Sequence, residues 1–159
     1  MTSTLARLTK PFPEAYIHTN PSGGGSYVGH EVITQRLLAA LGGYDFELRQ
    51  IIYEDLPAVA PDPNGKSTRA KNGSHELPRC VVGVVARLTI VVDGERHSYE
   101  EAGDCEDPRN WPHNGARMKD AMSDAIKRCA MRTGVAIHLW AGKEFFLDRA
   151  LQAVPQDAA

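Results

Sequence analysis

The strongest periodic signal in the chain is CVVGVVARLTIVVDGERHSYEEAG, Cys80 to Gly103. Cys80, Val82, Val84, Ala86, Leu88, Ile90 and Val92 recur at every second position, the spacing of side chains that share one face of a strand. The alternate set, Val81, Gly83, Val85, Arg87, Thr89 and Val91, is mixed, so the first set is predicted to face the core. Asp93-Gly94 follows, and the preferred two-residue hairpin turn needs positive φ at both central positions, which this pair tolerates. A returning strand is predicted with Arg96, Ser98 and Glu100 on one side and His97 and Tyr99 on the other. Upstream, YDFELRQIIYED alternates Tyr44, Phe46 and Leu48 with Asp45, Glu47 and Arg49, which predicts a third half-buried strand pairing antiparallel.

Helical spacing brackets these strands. YVGHEVITQRLLAALGG repeats Val28, Val32, Ile33, Leu37, Leu38 and Leu41 near the helical period and ends in Gly42-Gly43, a stop signal. After the acidic, irregular GDCEDPRNWPHNG, a longer helix is predicted from about Ala116 to Thr133, with Gly134 as its cap. Met118, Met122, Ala125 and Cys129 form its expected buried seam, flanked by Ala121 and Ile126. The expected fold is α+β: a helix, a three-stranded antiparallel meander, then a long helix packed on the sheet. Residues 1–26, rich in Pro, Thr, Ser and Gly, are expected to form an irregular arm, residues 27–153 a single domain, and 154–159 a polar tail. Within the domain, 56–79 reads as a long loop, because it has prolines, Asn-Gly pairs and no periodicity. KEFFLDRALQAV supplies a last short amphipathic segment.

Composition adds limits. With 159 residues and 42% hydrophobic positions, the chain buries one real core. A formal net charge of -2 argues against a general basic coating, so any polyanion site must be local. Three cysteines without a CxxC pair fit a reducing compartment, and six histidines without ligand spacing give no zinc pattern, so no cofactor or metal is expected. Neither a signal-like apolar region nor a run near ~20 apolar residues is present, so the expectation is a soluble cytoplasmic protein with no membrane partner.

Local charge is where function shows. Between Arg109 and Arg132 stand six cations, Arg109, Arg117, Lys119, Lys127, Arg128 and Arg132, against two acids, Asp120 and Asp124. At ~100° per residue, Arg117, Arg128 and Arg132 fall along one side of the helix, while Lys119 and Lys127 lie on the opposite flank. Intrahelical pairing of Asp124 with Lys127 and Arg128, and the favourable helix C-terminus, account for part of this charge. They do not account for Arg109, Arg117 and Lys119 near the helix start, where the dipole disfavours cations. A polyanion outside the helix is the simplest partner. Lys66, Arg69 and Lys71 in the 56–79 loop form a lesser candidate set, beside the plainer reading of that loop as a solvated insertion. Zinc-finger, helix-turn-helix and RNP patterns are missing, which favours phosphate contacts over base reading.

Other chemistry competes. Glu100, Glu101, Asp104, Glu106 and Asp107 suggest a metal-dependent nuclease, but they look consecutive and turn-like, whereas such sites gather acids from separated elements. A structural ring or scaffold protein, its basic helix meeting acidic neighbours, is the third reading. Trp111, Trp140 and Tyr27 are expected in the core or at subunit contacts ahead of base stacking.

The element order, and above all MKDAMSDAIKRCAMRTGVAI with its Lys-Arg pair followed six residues later by Gly, resembles the Rad52 family of single-strand annealing proteins, in particular short phage and prophage-type members. Gly23 to Tyr27 and Gly29-His30 extend the likeness, which covers roughly Tyr16 to Trp140. The resemblance implies a β-β-β-α core and subunits assembled side by side into a ring or arc. A cationic groove would hold single-stranded DNA there, with the bases free to pair. It implies annealing in recombination and double-strand break repair without enzymatic turnover. On the matching motif, Lys127 and Arg128 carry over to the inner DNA site and Arg132 to a frequently cationic position beside it. Arg109, Arg117 and Lys119 are the counterparts of an outer site. Implied partners are single-stranded DNA, the annealed duplex intermediate, further copies of the chain, and a phage exonuclease or host single-strand-binding protein, in a bacterial cytoplasm. Where eukaryotic members carry an arginine before the triple glycine, this chain has Asn20-Pro21-Ser22.

Overall fold

In the computed structural model, which describes residues 3–20, 25–59 and 75–153, the Asp93-Gly94 turn organises the sheet. Both residues have positive φ, 52° and 84°, the conformation that matches a tight turn to strand twist. Strand β4 (Leu77–Val92) therefore folds back onto β5 (Glu95–Asp104), in register from Val92 opposite Glu95 to Gly83 opposite Asp104. Strand β3 (Asp45–Leu56) pairs on the other side of β4, giving an antiparallel sheet of order β3-β4-β5. The central strand carries the core: Val84, Ala86, Leu88 and Ile90 are all 2% exposed or less. Below them the predicted alternation breaks. Ile52 pairs with Gly83 but Tyr53 with Val81, so Val82 is an extra residue, and the bulge leaves it half-buried while Cys80 and Val81 are buried together. The carbonyl of Val82 accepts instead from the Cys105 amide at 2.9 Å.

Two clusters share the sheet's packed face. The larger unites Leu8, Phe12, Ile33, Leu37, Leu88, Ile90, Cys129 and Val135, and the smaller unites Val84, Ala86, Cys105, Ala121 and Ala125. Helix α3 (Asn114–Arg132) spans both. It is capped by His113, whose Nδ1 accepts from the Ala116 amide at 3.1 Å. Asn114 fastens its first turn to β4 by accepting from the Val81 amide and donating to the Arg79 carbonyl. The approach is close because β5 offers a glycine there: a Cβ on Gly103 would lie 2.2 Å from the Ala121 carbonyl oxygen and 2.4 Å from the Ala125 amide. Ala125 and Cys129 of the expected seam are buried, as are its flanks Ala121 and Ile126. Met118 and Met122 are only partly so, and Ala130 and Arg117 take burial in their place.

The first 26 residues are not an irregular arm throughout. Ser3 caps a short helix α1 (Thr4–Thr9), and a hairpin of β1 (His18–Thr19) and β2 (Ser26–Tyr27) follows. Leu8 is buried at the heart of the larger cluster. Composition missed α1 because its order comes from a distant partner. Arg36, on α2 (His30–Leu41), donates to the carbonyls of Arg7, Leu8 and Lys10 at the helix end, where carbonyls lack intrahelical partners. The same guanidinium lies 4.1 Å from the centre of the Phe12 ring. On α2 the buried stripe is Ile33, Leu37 and Ala40; Leu38, expected inside, is exposed. Gly42 ends the helix in the left-handed conformation at φ 77°.

The acidic stretch is also rearranged. β5 continues to Asp104, so Glu100 and Glu101 point to opposite faces of a strand. Glu100 is held by Arg87 at 2.8 Å, Glu101 by Arg132. Among the described residues no group of three or more His, Cys, Asp or Glu side chains is placed to hold a metal. Nor, among them, is any helix long and apolar enough to cross a membrane. After α3 the chain turns through Gly134, at φ 93°, into α4 (Ile137–Ala141) and then α5 (Leu147–Ala153).

Candidate nucleic-acid interface

The end of α3 gathers the charge. Asp124 sits one turn before Arg128, and one of its oxygens accepts from Arg128 Nε at 2.6 Å and from the Asp104 amide at 3.3 Å. The other lies 3.6 Å from Lys127 Nζ. One carboxylate thus serves two cations while tethered to the end of β5. The hydrogen bond to Asp124, ahead of burial in the opposite sense, pushes the Arg128 guanidinium above its ordinary range and keeps it charged. Both side chains remain accessible, Lys127 at 36% and Arg128 at 45%. Asp120 is likewise turned to the main chain, accepting from the Glu106 amide at 3.1 Å.

Lys127 and Arg128 face a cleft of about 110 Å³. Its other walls come from β2, α2 and the chain after α3: Tyr27 and Val28, Ile33, and Met131, Leu139 and Trp140. Ala136 also borders it, in the left-handed conformation at φ 61°, unusual for a residue with a Cβ. The cleft is therefore apolar within and cationic at one side, with its single acid already shared by the two cations.

The remaining predicted cations go elsewhere. Arg132 is exposed and paired with Glu101 of β5, away from the cleft lining. Arg117 was expected on the same open stripe as Arg128, and it is buried, 4% exposed. Its donors go to the Pro108 carbonyl at 2.7 Å, the Trp111 carbonyl at 2.8 Å and Asn114 Oδ1 at 3.0 Å. A 3₁₀ turn at Pro108–Asn110, brought over the helix start, supplies acceptors that no helical wheel contains. Arg109 donates to the carbonyls of Pro57 and His75, clasping the two ends of the long loop. Lys119 is exposed and has no ion pair among the described residues. Lys66, Arg69 and Lys71 lie outside the described residues. Lys127 and Arg128, which helical spacing sets on opposite flanks, thus both line one cleft. The sequence anticipates the pairing of Asp124 with both cations but not its tether to the Asp104 amide, nor the placement of Trp140, for which the local pattern AIHLW carries no periodic signal.

Among curated proteins none matches the chain. The family model of the Rad52/22 double-strand break repair proteins, by contrast, matches residues 1–145 of the 159, and it meets the chain over the meander, α3 and the Lys127-Arg128 cleft alike, so the protein belongs to the Rad52/22 family.

Proposed function

We propose that the protein binds single-stranded DNA by its backbone and anneals complementary strands during recombination and double-strand break repair, without hydrolysing a nucleotide. The observation that carries this reading is the pairing of Lys127 and Arg128 over one shared carboxylate at the mouth of a cleft. Two accessible cations facing one acid leave a net positive edge, and phosphate contacts made this way bind any sequence while leaving base edges free. Arg132 stands beside the site as a supporting contact that a phosphate would share with Glu101. Lys119 is the candidate left for an outer strand, since Arg117 and Arg109 spend their donors on the protein's own carbonyls. Assembly side by side into a ring or arc is part of the proposal. β3 and β5 are both sheet edges among the described residues, and edges offer unpaired main-chain groups to a neighbour.

The test is Lys127→Ala with Arg128→Ala, followed by light scattering, strand-annealing rate and the salt dependence of oligonucleotide binding. Removing two phosphate contacts per subunit is expected to flatten the slope of log K against log salt by about 1.4, at ~0.7 for each contact on a single strand. Annealing is expected to collapse while oligomer size stays unchanged. Loss of the oligomer with DNA binding intact would instead identify a scaffold whose basic helix meets its neighbours.

A further inference from the structure

We propose that the cleft beside Lys127 and Arg128 takes one nucleobase of the bound strand, stacked on Trp140. The inference rests on the backbone-binding reading above and adds a ligand to the part of the site that phosphate contacts leave unexplained. At 74% exposure Trp140 is the most exposed large hydrophobic side chain among the described residues. A lone surface tryptophan needs no explanation, but this one borders an apolar cleft with Tyr27, Met131 and Leu139.

Size selects the occupant. The cleft holds about 110 Å³. An apolar cavity of ~150 Å³ accepts a single benzene ring. The cleft is smaller than that, so it takes one edge of a flat ring, the rest lying outside against the exposed Trp140, and it has no room for the face of a helix. Charge selects further, because the polar side of the cleft is Lys127 and Arg128 about a single acid, Asp124. A ligand that suits both halves has a planar, weakly polar ring and an anion a few bonds away, which describes a nucleotide unit of a strand.

The walls are also held in place. Tyr27 sits on the β1-β2 hairpin with its ring 5.4 Å from that of His18. Leu139 and Trp140 follow the turn through Ala136, whose left-handed backbone is a strained choice for alanine and which stands next to the fully buried Val135. One base seated in each subunit would anchor the strand's register, and the bases between would stay free for pairing.

The experiment compares two fluorescent strands of equal length, one oligothymidylate and one with abasic sugars, so that phosphates match and bases do not. Base-aromatic stacking predicts abasic binding weaker by about five-fold or more, with the same salt slope. Trp140→Ala should erase that preference, Trp140→Phe should keep most of it, and melting curves should show both variants folded. Trp140 emission, isolated as the difference between wild type and Trp140→Phe, should be quenched by oligothymidylate and untouched by the abasic strand. Equal affinity for both strands with a normal salt slope would overturn the base pocket and leave the backbone reading standing. Failure to bind either strand would overturn both. A Trp140 emission change on raising protein concentration without DNA would overturn the proposal in favour of a second copy filling the cleft.

Discussion

Arg117→Met separates a structural arginine from a DNA contact. The methionine keeps an unbranched apolar stem in a site that is 4% exposed, and it removes every donor. Three acceptors lose the Arg117 donor: the carbonyls of Pro108 and Trp111, at 2.7 and 2.8 Å, and Asn114 Oδ1 at 3.0 Å. Hydrogen bonds from a charged donor contribute about 1.5–3 kcal/mol each, and a lone buried acceptor costs more than a solvated one. The three are not additive here. Pro108 and Trp111 are only half-buried, which lowers the cost of losing one donor, and Asn114 Oδ1 keeps the Val81 amide. A net loss of about 3 kcal/mol is therefore expected. For a chain of this size that lowers the melting temperature by roughly 6–12 °C. Calorimetry of both proteins reads the shift, and oligonucleotide binding at a temperature where both are folded reads the site. The expected pattern is a lower melting temperature with an unchanged salt slope. A melting temperature within about 1 °C of wild type, with the slope flatter by ~0.7, would show Arg117 on a phosphate and refute its structural assignment.

Gly103→Ala places a Cβ 2.2 Å from the Ala121 carbonyl oxygen, against helix backbone that cannot rotate away. Overpacking of this kind costs about 3 kcal/mol, visible as a lower urea midpoint, and a neutral result would mean that α3 stands farther from β5 than the contact implies. Asp124→Asn removes the one acid shared by Lys127 and Arg128, so single-strand affinity at low salt is expected to rise about two- to five-fold and converge with wild type at high salt; fluorescence anisotropy across a salt series would expose a fall instead. Burial, and after it the nearby Asp120, pushes the Cys105 thiol from 9.0 up to about 12. The folded state then keeps a proton that the unfolded state loses, so the stabilisation is complete below about pH 9 and disappears as pH rises toward 12. Urea midpoints of wild type minus Cys105→Ala should decline over that window, and a flat difference would contradict the shift.

How far the chain can be read in advance follows from where each cause lies. The β4 pattern, the Asp93-Gly94 turn, the Gly42 stop and the long helix were legible, because each depends on side-chain spacing or backbone preference within a few residues. α1 was not, since its order depends on Arg36 reaching its terminal carbonyls and on Leu8 entering the common core. Carboxylates that looked like one acidic tract became separate partners once β5 ran through to Asp104 and sent Glu100 and Glu101 to opposite faces.

The candidate site divides along the same line. The sharing of Asp124 by Lys127 and Arg128 follows from their spacing of three and four residues alone, whereas their facing one cleft does not, since ~100° per residue sets them on different flanks of the packed seam. Arg117 lies only ~20° from Arg128 on the same helix, yet one is buried and the other open. Periodicity describes the faces of a single element. Whether a polar side chain is buried depends on acceptors that other elements bring to it, here a turn folded over the start of α3. The cleft is of the same kind: Tyr27, Ile33, Lys127 and Trp140 are distant in sequence, and only the packing of hairpin, helix and turn encloses the space between them.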